Sequence, residues 1–366
     1  VRITGKLVAL MAAAGVVGLV ALLAGTVCLT SGCGTLGYYA QAAGGHLELV
    51  TKARSVQGWI GAEGTDPQLR ERLQLSQRMR EFAITELKLP DNASYRRYAD
   101  LGRGAVVWNV VATPELSLTL KTWCFPVVGC VGYRGYFDRA AADALATELK
   151  AQGLDVNVYG VPAYSTLGKT NWMGGDPLLN TFIQWPEGEL AKLIFHELAH
   201  QVAYADDDTT FNESYATAVE RIGGARWLEQ HATPEARQAD ADGLQRRADF
   251  RALTQRTREA LVTLYASNIT DAEKRDRKAG LLAAMRAEYE QMKATRWGGF
   301  AGYDGWFARA NNASLGVQAA YNELVPQFER LFEKEGRDFE RFHAEVKRLA
   351  ALPKTERRGR LAEAAR

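Results

Sequence analysis

The pentapeptide His196-Glu197-Leu198-Ala199-His200 constrains this chain more than any other feature. Around it Leu190, Leu193, Ile194 and Leu198 recur at helical spacing, which predicts a helix from Glu187 to about Tyr204. Residues four apart on a helix share a face, so His196 and His200 present two imidazoles to one point. Glu197 projects alongside, within reach of a water held there. The chain has only five histidines, so two in one pentapeptide carry weight. A buried histidine pair satisfied by backbone carbonyls is the bland alternative, and it leaves the glutamate unexplained.

The arrangement is the HExxH pattern of zinc peptidases, so the expected cofactor is Zn2+, one ion per chain. Catalytic zinc takes three protein ligands and a water. No third histidine follows at short spacing; the next is His231. An acidic ligand, as in the gluzincins, is the alternative, and the next helix, expected from about Asn212 to Leu228, offers two. Glu213 lies in an Asn-Glu-small context similar to that of the gluzincin ligand. Glu220 has the residue count after His200 that thermolysin shows. Seven residues apart, the two lie near one face. Glu213 is the favoured ligand, and Glu220 then orients a histidine from behind. Thr210 to Glu213 also fits a capping box, in which Glu213 merely caps the helix. In the expected chemistry Glu197 takes the proton from a metal-activated water and passes it to the leaving amine. An oxyanion stabiliser is needed as well. Tyr164, in a Gly/Pro-rich loop leading towards the motif helix, is the first choice, with Tyr133 and Tyr136 as alternatives.

Periodicity predicts an α+β fold with extensive helical regions, and the HExxH motif implies that its core, a small sheet and the motif helix, resembles that of the zincin metallopeptidases. Residues 34–90 read as an N-terminal helical segment and 91–233 as the catalytic core. Strands are expected over Gly104–Ala112, Leu116–Leu120 and Val156–Val161, with a helix from Ala140 to Gln152. Either Val106–Val111 or Val156–Val161 is a candidate edge for a peptide substrate added as a strand. Residues 234–352 read as helical, with a long hairpin whose second helix starts at a capping box over Thr270-Asp271-Ala272-Glu273. Residues 353–366 read as a disordered polar tail.

Residues 1–33 stand outside the fold. Arg2 and Lys6 precede an uncharged apolar run, Leu7 to Leu29, then Thr30-Ser31-Gly32-Cys33. This resembles a bacterial lipobox, with Cys33 as the lipidated residue, although the usual Leu three places earlier is replaced by Thr30. An uncleaved apolar membrane anchor is the alternative. Both readings put the remaining chain outside the cytoplasm, in a bacterial cell envelope with the catalytic domain in the periplasm. Gly34, rather than Asp, after the cysteine points to the outer membrane. That compartment permits a disulfide between Cys124 and Cys130; two free thiols are the alternative. The net charge of +2 gives no reason to expect nucleic acid as a partner.

The mature chain resembles the bacterial lipoprotein family of predicted aminopeptidases. The resemblance runs through Gly37 to Ala42, Val107-Trp108-Asn109-Val110, Trp123-Cys124-Phe125-Pro126 and Tyr133 to Phe137. It continues through Ala163 to Gly168, Asp176-Pro177-Leu178-Leu179, Ile194 to Gln201, Phe211-Asn212-Glu213 and Asn311 to Leu315. It implies a metallopeptidase with the zinc site described. Selectivity for N-termini rests on the resemblance alone, because the Gly-x-Met-Glu-Asn segment of well-known zinc aminopeptidases is absent. Asp176, Asp206, Asp207 or Asp208 are substitutes for holding an α-amine, and Asn311 and Asn312 for holding substrate backbone. A solvated acidic turn and a helix cap are the plainer readings. The alternatives are an endopeptidase or oligopeptidase with the same site, or a non-catalytic membrane-tethered lipoprotein with a structural metal.

Overall fold

The computed structural model describes residues 33–365, except 126–128, 164, 167, 169, 170, 207 and 319–323. The leader, the Cys33 side chain, Tyr164 and Asp207 therefore lie outside the described residues. The chain opens with α1 (Cys33–Lys52), β1 (Arg54–Ser55), α2 (Val56–Gly61) and α3 (Pro67–Thr85). Short strands follow: β2 (Arg97–Ala99), β3 (Val107–Pro114), β4 (Trp123–Phe125), β5 (Gly129–Val131) and β6 (Arg134–Tyr136). Next come α4 (Arg139–Ala151), β7 (Leu154–Val161) and β8 (Leu178–Leu179). The rest is helical: α5 (Glu187–Ala199), α6 (Thr209–His231), α7 (Pro234–Ala266), α8 (Asp271–Thr295), α9 (Asp304–Arg309), α10 (Asn312–Val317), α11 (Val325–Lys334), α12 (Phe339–Ala350) and α13 (Lys354–Ala364).

The main sheet has the order β6-β3-β7, antiparallel throughout, with β3 and β7 paired from Val107↔Val161 to Pro114↔Leu154. Strand β3 is central, paired with β7 along its length and with β6 at Trp108–Val110, so these three residues offer no edge to a substrate strand. A smaller sheet joins β1, β2 and β8, and β4 pairs with β5 in a ribbon. Cys124 and Cys130 face each other in that ribbon and form a disulfide. The strand expected over Leu116–Leu120 is absent. Pro114 ends β3, because proline cannot donate to the ladder, and the segment then leaves the sheet. Leu118 instead joins the core of the helical hairpin.

The polar tail is a further correction. Residues 354–364 form α13, whose Leu361 is fully buried and whose Arg357 is 3% exposed. Arg357 and Leu361 are four residues apart and so share one buried face. The main core crosses the boundaries read from sequence. Leu73 and Met79 of α3, Ile194 and Phe195 of α5, Tyr215 of α6, Phe328 of α11, Phe342 of α12 and Leu361 of α13 all belong to it.

Helices α5 and α6 pack closely, and two adjacent glycines allow it. A Cβ on Gly223 would stand 2.6 Å from Leu87 Cδ1 and 3.2 Å from Phe195, and one on Gly224 2.7 Å from Lys192 Cγ. Glycine inside a helix costs about 1 kcal/mol relative to alanine. Here it lets α6 lie near enough to α5 for their polar side chains to meet.

The hairpin α7–α8 carries the expected capping box, with Thr270 and Glu273 bonding reciprocally. Its base is tied to α5 by Lys192–Asp240 and Arg247–Glu189, both at 2.5 Å. Its far end reaches the main sheet through Lys278 Nζ on Asp155, at 2.7 Å. It thus spans from the HExxH helix to β7. Asn311 caps α10 and donates to Val156 O, while the buried Asn312 donates to Glu115 O and accepts from Tyr265. Both asparagines are therefore engaged in structure. Among the described residues no helix is long and apolar enough to cross a membrane.

Candidate metal centre

The site is built where α5 ends. The helix stops at Ala199, and His200 is its C-cap, earlier than the expected end near Tyr204. Asn212 explains the stop. Its side chain accepts from Ala205 N at 2.8 Å and donates to Ala205 O at 2.7 Å, pulling the connection back against α6. The N-cap of α6 is Asp208, which accepts from Phe211 N. Glu213 is therefore not a capping residue, and the Thr210 capping box does not form. Asp208 is 1% exposed and pairs with Arg357 at 3.3 Å, so the last helix anchors the start of α6.

This phase of α6 points Glu213 at both histidines. His196 Nε2 and His200 Nε2 stand 3.2 Å apart. Glu213 Oε2 is 3.5 Å from the first, and Oε1 is 3.8 Å from the second. All three groups offer ligand atoms within 4.8 Å of one another. Donors bound tetrahedrally at about 2 Å from one ion stand roughly 3.3 Å apart, so the spacing fits zinc. Glu220 lies on the other side of the ring, with Oε2 3.0 Å from His196 Nδ1. The two carboxylates thus occupy different places: Glu213 on the Nε2 side, Glu220 behind it. His200 Nδ1 is buried and has no hydrogen-bond partner among the described residues.

Electrostatics follow from this crowding. Burial opposes the charged form of His196, but Glu213, Glu220 and Glu197 outweigh it and push the pKa up to about 10. His200 is driven down to about 4 by burial and by the neighbouring His196 cation. Glu197 is raised above the usual carboxylate range, first by burial and further by Glu213 and Asp176. His196 and a hydrogen bond from Ser165 act the other way.

Several expected residues sit elsewhere. Asp176 is 2% exposed and accepts from Thr166 N at 3.1 Å, Thr166 Oγ1 at 2.7 Å and Ser165 Oγ at 3.4 Å. It is engaged in holding that loop, not open to an α-amine, and Asp208 is a buried cap; Asp206 stays exposed. Tyr136 packs against Tyr38 in the sheet, ring centroids 5.6 Å apart, so it is a packing aromatic. Tyr133 is half-exposed and near enough to Glu213 for that charge to help raise its hydroxyl, after burial.

Sequence reading missed three neighbours. Ser165 links Asp176 to Glu197. Tyr95 is 3% exposed with φ of 63°, its N–H held by Asp176 O at 2.7 Å. Burial, then the charges of Glu197 and Asp176, raise its hydroxyl well above the ordinary value. A non-glycine residue in the left-handed region is a signal of local constraint, but it is visible only in the backbone. Tyr204 stacks edge-on near His200, centroids 6.2 Å apart; its spacing four residues on would have suggested it.

The geometry defines a helix-borne His–His–Glu group able to hold a divalent metal. A family model described as "Putative aminopeptidase" matches residues 37–361, nearly the whole described chain, and the protein belongs to that family. No curated protein and no solved structure matches it.

Proposed function

We propose that the protein is a zinc-dependent aminopeptidase with a zincin-like catalytic core, tethered outside the cytoplasm of a bacterial envelope by a lipid on Cys33 or by its apolar N-terminal run. One observation carries the reading. The Nε2 atoms of His196 and His200 and the Glu213 carboxylate converge beside Glu197. The family supports action at N-termini, and the sequence before residue 34 supports the tether.

His196, His200 and Glu213 would hold the ion. When bound, zinc supplies a Lewis acid that acidifies water and polarises the scissile carbonyl. Glu220 accepts from Nδ1 of His196, which keeps the Nε2 lone pair directed at the site. Glu197, with its pKa raised by burial, is suited to hold a proton between attack and departure of the leaving amine.

The purified protein is expected to carry one zinc per chain. Glu197→Gln keeps the metal and loses nearly all turnover of peptides with free N-termini. Nα-acetylated peptides remain intact. Wild-type protein without metal, or full activity in the variant, would sink the reading. Cleavage of acetylated peptides at internal bonds would move the protein to the endopeptidases. Cys33→Ser is expected to release the chain from membranes if the tether is a lipid, and to leave it attached if the anchor is the apolar run.

A further inference from the structure

Helix α1 has two faces of opposite character. One is docked on the main sheet. Tyr38 stacks edge-on against Tyr136, with ring centroids 5.6 Å apart. The Gln41 carboxamide closes the outer edge of β6, donating to Gly135 O at 3.4 Å and accepting from Phe137 N at 2.9 Å. A Cβ on Gly45 would strike the Phe137 ring, and Leu49 is buried. These positions follow one another in steps of three and four, so they form one stripe. The helix is therefore held as part of the domain.

The opposite stripe is open. Ala40, Ala43, Gly44, Leu47 and Thr51 are exposed and fall about half a turn from the docked set. No Asp, Glu, Lys or Arg lies between Cys33 and Leu47. The first is Glu48, which is paired with Lys52 and with Arg103, both at 2.9 Å. Leu47 is 61% exposed, and Trp172, at 81%, is the one large apolar side chain more exposed than it among the described residues. Arg97 joins the two elements. It donates to Val50 O of α1 at 3.4 Å, and to Met173 O and Gly174 O at 2.9 and 3.1 Å. Trp172 sits in the turn Asn171–Met173. Behind it Gly174 and Gly175 take φ of 102° and 64°, and a Cβ on Gly175 would stand 2.5 Å from Ser94 N. The turn is thus built closely against the domain and still presents its indole to solvent. Exposed apolar residues scattered singly are ordinary. These two are gathered by one guanidinium, beside an uncharged helix face.

We propose that this face of α1, together with Trp172, rests in the headgroup layer of the membrane that holds the chain. The proposal rests on the tether reading for the presence of the bilayer. The place where the leader ends points to lipid as the occupant. Whichever form the tether takes, it ends at the start of α1. Positions 33, 40 and 47 are seven apart on one helix, so the position proposed to carry the lipid shares a face with Leu47. They are about 21 Å apart along the axis, at roughly 1.5 Å per residue. An upright helix would lift Leu47 clear of the surface, whereas a helix lying flat lays the whole stripe on it. A tryptophan suits that boundary, because its ring is apolar and its N–H is polar. The tether keeps the face at high local concentration near the bilayer, so the contact needs little affinity of its own. Because the other face of α1 is fixed on β6, this contact also sets how the domain is turned toward the membrane.

The test uses the full chain, extracted from membranes in detergent. It is reconstituted into phosphatidylethanolamine–phosphatidylglycerol vesicles, with and without acyl-brominated phospholipid. Bromine there quenches indoles that lie at or within the bilayer. The difference between the parent and Trp172→Phe isolates the Trp172 emission from that of the other tryptophans. Brominated lipid is expected to remove at least about half of it, and Leu47→Asp to restore at least about half of the loss. Both substitutions fall on exposed side chains, and melting temperature confirms the fold. Equal Trp172 emission in the two kinds of vesicle overturns the proposal, as does quenching that Leu47→Asp leaves unaltered. Emission that bromine spares and aqueous iodide cannot reach assigns the face to a protein partner or a second copy, and overturns it too. Flotation separates the two readings. A chain that floats with the vesicles without Trp172 quenching keeps the tether and removes the face. A chain that does not float removes both.

Discussion

Glu220 Oε2 stands 3.0 Å from His196 Nδ1, while Glu213 approaches the opposite nitrogen of the same ring. The ring is held between two carboxylates with separate tasks. Glu220→Gln is expected to keep the fold and weaken zinc binding by about 10–100-fold, the usual cost of losing a partner behind a ligand. Glu213→Ala is expected to weaken it further. Competition with a chromophoric chelator measures both. A Glu220→Gln variant weaker in zinc than Glu213→Ala would reverse the assignment.

Ser165 has a directional effect on Glu197. Its hydrogen bond lowers a carboxylate that burial, Glu213 and Asp176 raise. Removing the hydroxyl in Ser165→Ala therefore raises the Glu197 pKa. The acid limb of the kcat/KM profile is expected to move to higher pH. An acid limb that stays in place, or moves down, contradicts the link.

Arg357 and Asp208 form an ion pair with side chains 4% and 1% exposed. Asp208 also meets the more exposed Arg358 at 3.5 Å, so removing Arg357 leaves the buried carboxylate with a weaker partner, at a cost of about 1–3 kcal/mol, less than that of a fully unpaired buried charge. Arg357→Ala is expected to lose stability of this order in urea unfolding. It should also weaken zinc binding, because Asp208 caps the helix that carries Glu213. A variant as stable as the parent would remove α13 from the account of the site.

His343 gives a pH dependence independent of metal. It is 4% exposed, donates from Nε2 to Leu87 O at 2.8 Å and accepts at Nδ1 from Tyr215 OH at 2.8 Å. The neutral ring is satisfied, and burial holds the pKa down to about 4. The unfolded chain takes up this proton near pH 6.5. The His343 contribution is thus complete above that pH and lost as pH falls from about 6.5 to 4, up to roughly 3 kcal/mol. Urea midpoints across that window should fall steeply in the parent and less steeply in His343→Asn.

Local pattern made some of this legible. The capping box at Thr270 and the Asn311 cap are encoded within four residues, and the histidine spacing needs only a helix. Long-range partners decided the rest. The end of α5 at His200 depends on Asn212 gripping Ala205. The polar sequence after Pro353 folds because Arg357 finds Asp208, 149 residues away. Leu116–Leu120 alternates like a strand, but Leu118 is claimed by the hairpin. Strands β4 to β6 are three residues each in a stretch rich in Gly, Pro and Cys, too short for periodicity to register. Ser165 and Tyr95 meet Glu197 only through the loop pinned by Asp176, a contact no spacing announces.

The anchoring of α6 by α13 has a consequence for how the chain is made. Asp208 meets its Arg357 and Arg358 partners only after α13 has been synthesised, Arg357 lying 149 residues further along the chain. A chain still emerging from a ribosome or an export channel holds its HExxH segment without a firm second wall, and so without a tight seat for zinc. Under the proposed zinc reading, a chain interrupted before Arg357 is expected to hold metal less tightly than one that includes α13.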